Sequence, residues 1–178
     1  MMWAMTDTIE SARGLAPSDP RLDVWRTFLQ AHARLFRRLD DELREEHGLS
    51  LPEYEALVHI GRAPGRRVRM SQLAQQVLLS KSGVTRLIDR LVADGFVERS
   101  ACSSDARGQE AVLTGAGLAR VRAAADTHLR GIDRYFVSAL TAGELDVISR
   151  TMQSVADRAG SGPSDAEACE PVVDGLAT

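Results

Sequence analysis

The chain has 178 residues, with 22 basic against 25 acidic side chains for a formal charge of −3, and 44% hydrophobic residues of which few are aromatic. That length suits one domain, or one domain with attached helical parts, and the aliphatic bias favours helix packing over an aromatic-rich β sandwich, so the expected class is mainly α. The charge balance excludes a surface coated in phosphate-binding residues, no apolar run approaches the roughly 20 residues that span a bilayer, no signal-peptide core is present, and Cys102 and Cys169 are too few for a disulfide framework and too far apart for a zinc site. The expected location is the reducing cytoplasm.

Residues 1–18 are small and polar without sustained periodicity, which predicts a flexible arm. Asp19-Pro20 reads as a helix start, with Asp as N-cap and Pro in the first turn. Leu22, Trp25, Leu29, His32, Phe36, Leu39 and Leu43 then recur in threes and fours, widened by Phe28 and Leu35. This spacing predicts one long helix within 19–48 that stops at His47-Gly48. Ser50-Leu51-Pro52-Glu53 is a capping-box pattern opening a helix that carries Tyr54, Leu57, Val58 and Ile60, and Ala63-Pro64-Gly65 ends it. From Arg66 to Met70, the alternation of Val68 and Met70 predicts a brief strand.

The stretch Ser71–Arg99 reads as two short helices joined by a tight corner. Leu73, Ala74 and Val77 give the first an apolar face, and Val84, Leu87, Ile88, Leu91 and Val92 give the second one. Ser71 and Ser80 are the expected N-caps, and Asp94-Gly95 the stop. The opposite face of the second helix carries Lys81, Ser82, Thr85, Arg86, Asp89 and Arg90, most of which bond phosphates or base edges, as in a helix lying in a DNA major groove. An amphipathic surface helix with no ligand is the competing reading. Phe96–Arg99 and Ala111–Leu113 are β-prone, and the polar run Ser100–Glu110 between them is expected to be a long hairpin tip. Charge supports the first reading: residues 61–110 hold nine bases and five acids, a surplus of four, whereas the rest holds thirteen bases and twenty acids. One basic face on an acidic body suits a polyanionic partner.

Thr114 starts another long helical pattern, with Leu118, Val121, Ala125, Leu129, Ile132, Phe136 and Leu140 near one side. Thr141-Ala142-Gly143-Glu144 is a second capping box, followed by the stripe Leu145, Ile148, Met152 and Val155. Residues 160–178 are acidic and rich in Gly, Ser and Pro, which predicts a disordered tail. Each terminal helix has an apolar stripe needing cover, and a second copy of the chain is the simplest cover, giving a two-fold homodimer.

The run SKSGVTRLIDRLVADGFVERSACSSDARGQEAVLTGAG, from Ser80 to Gly117, resembles the recognition helix, wing and following helix start of the MarR family of winged helix-turn-helix transcription regulators. The resemblance implies a winged domain over 49–113 with a small β wing, flanked by dimerisation helices at 19–48 and 114–159. It implies a homodimer on a pseudo-palindromic double-stranded operator, usually a repressor. Ser80, Lys81, Ser82, Thr85 and Arg86 would face bases or flanking phosphates, and Arg107 of the wing would enter the minor groove. Asp105 would pair with Arg90 to hold the wing. Cys102-Ser103-Ser104 departs from the family pattern, which often has proline or acidic residues there. The resemblance also implies a small aromatic or anionic effector against Trp25, His32, Tyr54 and Arg62; ordinary packing by the first three, with one surface arginine, is the other reading.

No glycine-rich phosphate loop or nucleophile motif appears, so no catalytic residue and no cofactor are expected. His32, His47, His59 and His128 are scattered over separate predicted helices, which gives no metal-ligand spacing. The rivals to a DNA-binding regulator are an enzyme and a helical dimeric protein-interaction module that has lost DNA binding.

Overall fold

The computed structural model describes residues 15–77, 79–102 and 105–160, without the side chains of residue 81 and of residues 102–108. The elements are α1 (Leu22–His47), α2 (Leu51–Arg62), β1 (Arg67–Arg69), α3 (Met70–Gln76), α4 (Lys81–Ala93), β2 (Val97–Cys102), β3 (Asp105–Leu113), α5 (Gly115–Tyr135) and α6 (Ala142–Gly160). The chain divides after Tyr135 into two compact units. The expected arm, for residues 1–14, and the expected tail beyond Gly160 lie outside the described residues.

The start of α1 differs from the reading of Asp19 as its cap. Arg21 takes that carboxylate instead, through its guanidinium and its backbone N–H (2.9 Å), and these bonds, led by the guanidinium, pull the Asp19 carboxyl down to about 2. The helix begins at Leu22 with no side-chain cap. Its end is as expected: Gly48 takes φ +63, and its N–H and that of Leu49 close on the carbonyls of Arg44 and Leu43 at 2.9 and 3.4 Å. Two residues on, the capping box of α2 forms, with the Ser50 N–H donating to Glu53 Oε2 at 2.9 Å and the Glu53 N–H to Ser50 Oγ at 3.4 Å.

Ser71 is not the cap of α3. Met70 is already helical, extended Arg69 precedes it, and no side chain caps that end. Ser80 does cap α4, accepting the Gly83 N–H at 3.1 Å. The sheet is antiparallel in the order β1-β3-β2, with Arg67 opposite Val112 and Val97 opposite Leu113. The paired strands reach further than the expected long tip, with Ala101 opposite Gln109, and after a register shift between Ala101 and Cys102 the last pair is Cys102 opposite Asp105. Backbone bonds support pairing whatever the side chains, which is why apolar alternation did not mark this polar stretch.

The core lies where α1 meets the winged lobe. Leu43, Leu49, Leu51, Leu57, Ile60, Leu73, Leu87, Ile88 and Leu91 are fully buried, and Val97, Ala111 and Leu113 close it from the sheet. Each such aliphatic side chain contributes about 1.5–3 kcal/mol when removed from water. Helix α5 buries Gly117, Val121, Ala124, Thr127 and Gly131; of the expected stripe Val121 is buried and Leu118 and Ile132 pack against the core, but the buried face is offset enough to leave Leu129 exposed at 61%. The reason is a polar seam with α1. Thr127 Oγ1 donates to Glu46 Oε2 at 2.7 Å and lies 2.8 Å from His47 Nε2, while a Cβ at Gly131 would come within 2.6 Å of Leu39 Cδ2. The helix stops at Tyr135 instead of running on through Leu140, and a single 3-10 turn, Val137–Ala139, follows.

In the second unit the Thr141 capping box forms, with the Thr141 N–H on Glu144 Oε2 at 2.8 Å and the Glu144 N–H on Thr141 Oγ1 at 3.3 Å. Along α6, Leu145 and Ile148 are half-buried and Met152 and Val155 are exposed.

Candidate nucleic-acid interface

Helix α4 has two faces with opposite environments. Val84, Leu87, Ile88 and Leu91 lie in the core at 2% exposure or less, which fixes the rotation of the helix about its axis. That rotation leaves Ser80, Ser82, Thr85, Arg86, Asp89 and Arg90 exposed on the other side. The hydroxyls of Ser80 and Ser82 lie 3.2 Å apart at the amino end, where the helix dipole favours anions. The expected contacts Lys81, Asp105 and Arg107, and also Cys102, have side chains outside the described residues.

Two ion pairs lock α4 to its neighbours. Arg99, on β2, donates through Nη2 to Asp89 Oδ1 at 2.7 Å and through Nη1 to Gln109 Oε1 at 3.4 Å, joining both wing strands to the helix. Arg90 Nε, on the group expected to meet Asp105, donates to Glu53 Oε1 at 2.7 Å in the first turn of α2. Burial raises the Glu53 carboxyl, but the Ser50 N–H, the Arg90 guanidinium and the Ser50 hydroxyl outweigh it, and the net shift is downward. Sequence reading missed Arg99, Asp89 and Glu53 as a framework. The only local signal was a charged residue on each of three elements, which says nothing of partners.

The end of the wing is fastened at Thr114. Its N–H donates to Phe96 O at 3.0 Å, its hydroxyl donates to Gly95 O at 2.8 Å, and the same oxygen accepts the Gly117 N–H of α5 at 3.0 Å. The stop of α4, the start of β2 and the first turn of α5 thus meet at one residue.

The four candidate effector residues fall into two groups. Trp25 and His32 belong to an exposed ladder on α1, in which ring centroids run Trp25–Phe28 at 5.8 Å, Phe28–His32 at 6.1 Å and His32–Phe36 at 4.2 Å. Tyr54 is buried on α2, 4.7 Å from the His128 ring of α5. Burial raises its hydroxyl pKa, and the charge of nearby Arg62 opposes that rise. His59 is pushed down by burial and by Arg62, and His128 by burial. The buried Nδ1 of His128 has no hydrogen-bond partner among the described residues. An open groove on α1, about 550 Å³, is lined by Ala33, Arg34, Arg37, Arg38 and Asp41 and includes none of the four. Among the described residues no helix is long and apolar enough to cross a membrane, and no group of three His, Cys, Asp or Glu side chains could hold a metal ion.

Comparison with known proteins agrees with this architecture. A family model described as MarR family matches residues 47–108. AbsC, a MarR family transcriptional regulator from Streptomyces coelicolor, is 33% identical with a TM-score of 0.74, the match covering 83% of this chain and 97% of that one. A second MarR family transcriptional regulator from Streptomyces coelicolor, solved in complex with DNA, is 32% identical with a TM-score of 0.76, covering 88% and 96%. A mutant MarR from E. coli complexed with operator DNA shares the fold at 22% identity and a TM-score of 0.68, over 78% and 99%. No curated protein matches the chain. With a recognition helix locked to a paired-strand wing, and with these likenesses over nearly the whole length of the two Streptomyces proteins, the chain belongs to the MarR family of transcriptional regulators.

Proposed function

We propose that the protein is a homodimeric DNA-binding regulator whose two α4 helices enter successive major grooves of a pseudo-palindromic operator. The supporting observation is the outward row Ser80, Ser82, Thr85 and Arg86 on a helix whose other face is sealed in the core. Short hydroxyls and a guanidinium bond base edges and phosphates without needing a specific backbone approach. Lys81 joins this row by position, Arg107 at the end of the wing enters the adjacent minor groove, and Asp105 helps hold the wing through Arg90. A second copy covers the exposed α1 ladder. Repression follows from occupying a promoter, and a small aromatic or anionic effector bound near Tyr54 and Arg62 relieves it; the proposal assigns no catalytic step to the chain.

Binding of labelled DNA from upstream of the protein's own gene, read by fluorescence anisotropy against scrambled DNA, tests the proposal. Wild type binds the upstream fragment preferentially. Arg86→Ala combined with Arg107→Ala weakens it by about a hundredfold or more, at about 1–3 kcal/mol for each lost contact, and flattens the fall of log K with log salt by roughly one unit per lost phosphate contact. Equal binding to scrambled DNA, or an unaffected double variant, overturns it and leaves the protein-interaction module as the better reading.

A further inference from the structure

Two carboxylates, Asp40 of α1 and Glu53 of α2, form a connection from the dimerisation helix to the recognition helix. On α1, Asp40 accepts Arg44 Nε through Oδ2 at 2.7 Å and the Leu51 N–H of α2 through Oδ1 at 2.7 Å. Two residues further on, Glu53 uses its two oxygens on different elements: Oε2 accepts the Ser50 N–H at 2.9 Å, and Oε1 accepts Arg90 Nε of α4 at 2.7 Å. The Glu53 side chain is 13% exposed and that of Arg90 57%. A carboxylate so shielded and bonded on both oxygens holds a defined geometry, unlike an exposed pair of flexible side chains.

We infer that Glu53 is a positioning residue for the recognition helix: by gripping Arg90 while capping α2, it sets where α4 stands relative to α1, and so how tightly the protein holds DNA that Glu53 itself never touches. The inference deepens the proposed DNA-binding function and rests on it. Its consequence runs against simple electrostatics. Deleting a negative charge beside a DNA-binding helix strengthens DNA binding if charge alone counts. Deleting it weakens binding if the carboxylate orients α4.

The test is a double-mutant cycle with Glu53→Gln, Arg90→Gln and the two combined, since Gln at position 53 still accepts the Ser50 N–H and keeps α2 capped. Glu53→Gln is expected to lose about fivefold in affinity for the upstream DNA fragment, Arg90→Gln at least as much because it also releases Asp105, and the combined variant no more than Arg90→Gln alone, because Glu53 acts through Arg90. Glu53→Gln should leave the salt slope unchanged. Amide hydrogen exchange of the DNA-free variants gives a second measurement: amides of α4 exchange faster in all three, by a similar factor. If Glu53→Gln binds DNA as tightly as wild type or tighter, or if α4 exchange is unaltered, the inference is overturned while DNA binding by the wild type still stands. A wild type that binds no DNA would sink the functional proposal instead, and the exchange measurement would still decide the role of Glu53.

Discussion

The winged lobe and the amino-terminal half of α1 are equally rich in helical apolar stripes, and they end in opposite environments. In α4, Val84, Leu87, Ile88 and Leu91 are all buried to 2% exposure or less. In α1, Val24, Trp25, Phe28, Leu29 and Phe36 remain 40–75% exposed, and only Leu39 and Leu43, near the carboxyl end, are buried. Periodicity therefore reports that a face wants cover, not who provides it. The stripe of α4 is covered within the chain, in a core shared with α1 and α5. The α1 stripe leaves large apolar side chains and a ladder of rings exposed along one helix, the kind of surface that marks association.

Four perturbations break or sharpen this contrast. The largest effect falls in the lobe: Ile88→Ala removes a side chain with no exposure and should cost about 2–5 kcal/mol, measured by denaturant unfolding. Gly117→Ala comes next. The added Cβ would lie 2.2 Å from the Phe96 carbonyl oxygen and 2.7 Å from Leu113 Cδ1, so backbone must move, at about 1–3 kcal/mol by the same measurement. In α1 the equivalent damage should appear in assembly. Trp25→Ser with Phe28→Ser is expected to weaken dimerisation at least about tenfold in sedimentation equilibrium, roughly 1.4 kcal/mol, while lobe stability scarcely changes. An unfolded lobe in that variant, or an undiminished dimer, would erase the contrast.

The smallest effect is on pH dependence. His59 and His128 both have pKa values held below the ordinary 6.5, mainly by burial. As pH falls below 6.5 the unfolded chain takes up these protons first, so the stability contributed by the neutral rings is present above 6.5 and is lost on acidification towards the lower folded values. The thermal midpoint should fall over that interval, and His128→Gln should make the fall shallower. A midpoint rising on acidification through this range would contradict the assignment.

What was legible in the sequence was local. The Ser50 and Thr141 capping boxes, the Ser80 cap and the left-handed Gly48 need only residues within a turn of one another, and all form. The two apolar faces of the helix-turn-helix were legible for the same reason, except that Val92, expected on the buried face of α4, is 38% exposed. What failed depended on competition or distance. Arg21 outbid the helix amides for Asp19, and Met70 entered α3 ahead of Ser71. The rotation of α5 was set by Glu46 and His47, about 80 residues away, which make a buried Thr127 affordable and leave Leu129 outside. In the candidate site the outward row on α4 could be read from its spacing, but the Glu53–Arg90 and Asp89–Arg99 pairs join separate elements and leave no periodic trace.

The fastening at Thr114 has a mechanical consequence. Because one side chain ties the first turn of α5 to the backbone where α4 ends and β2 begins, this corner behaves as a welded joint rather than a hinge. A lever arm three turns or longer is thereby fixed to the base of the reading head. Motion of α5 is therefore expected to be carried to the wing and the recognition helix together rather than taken up at their junction.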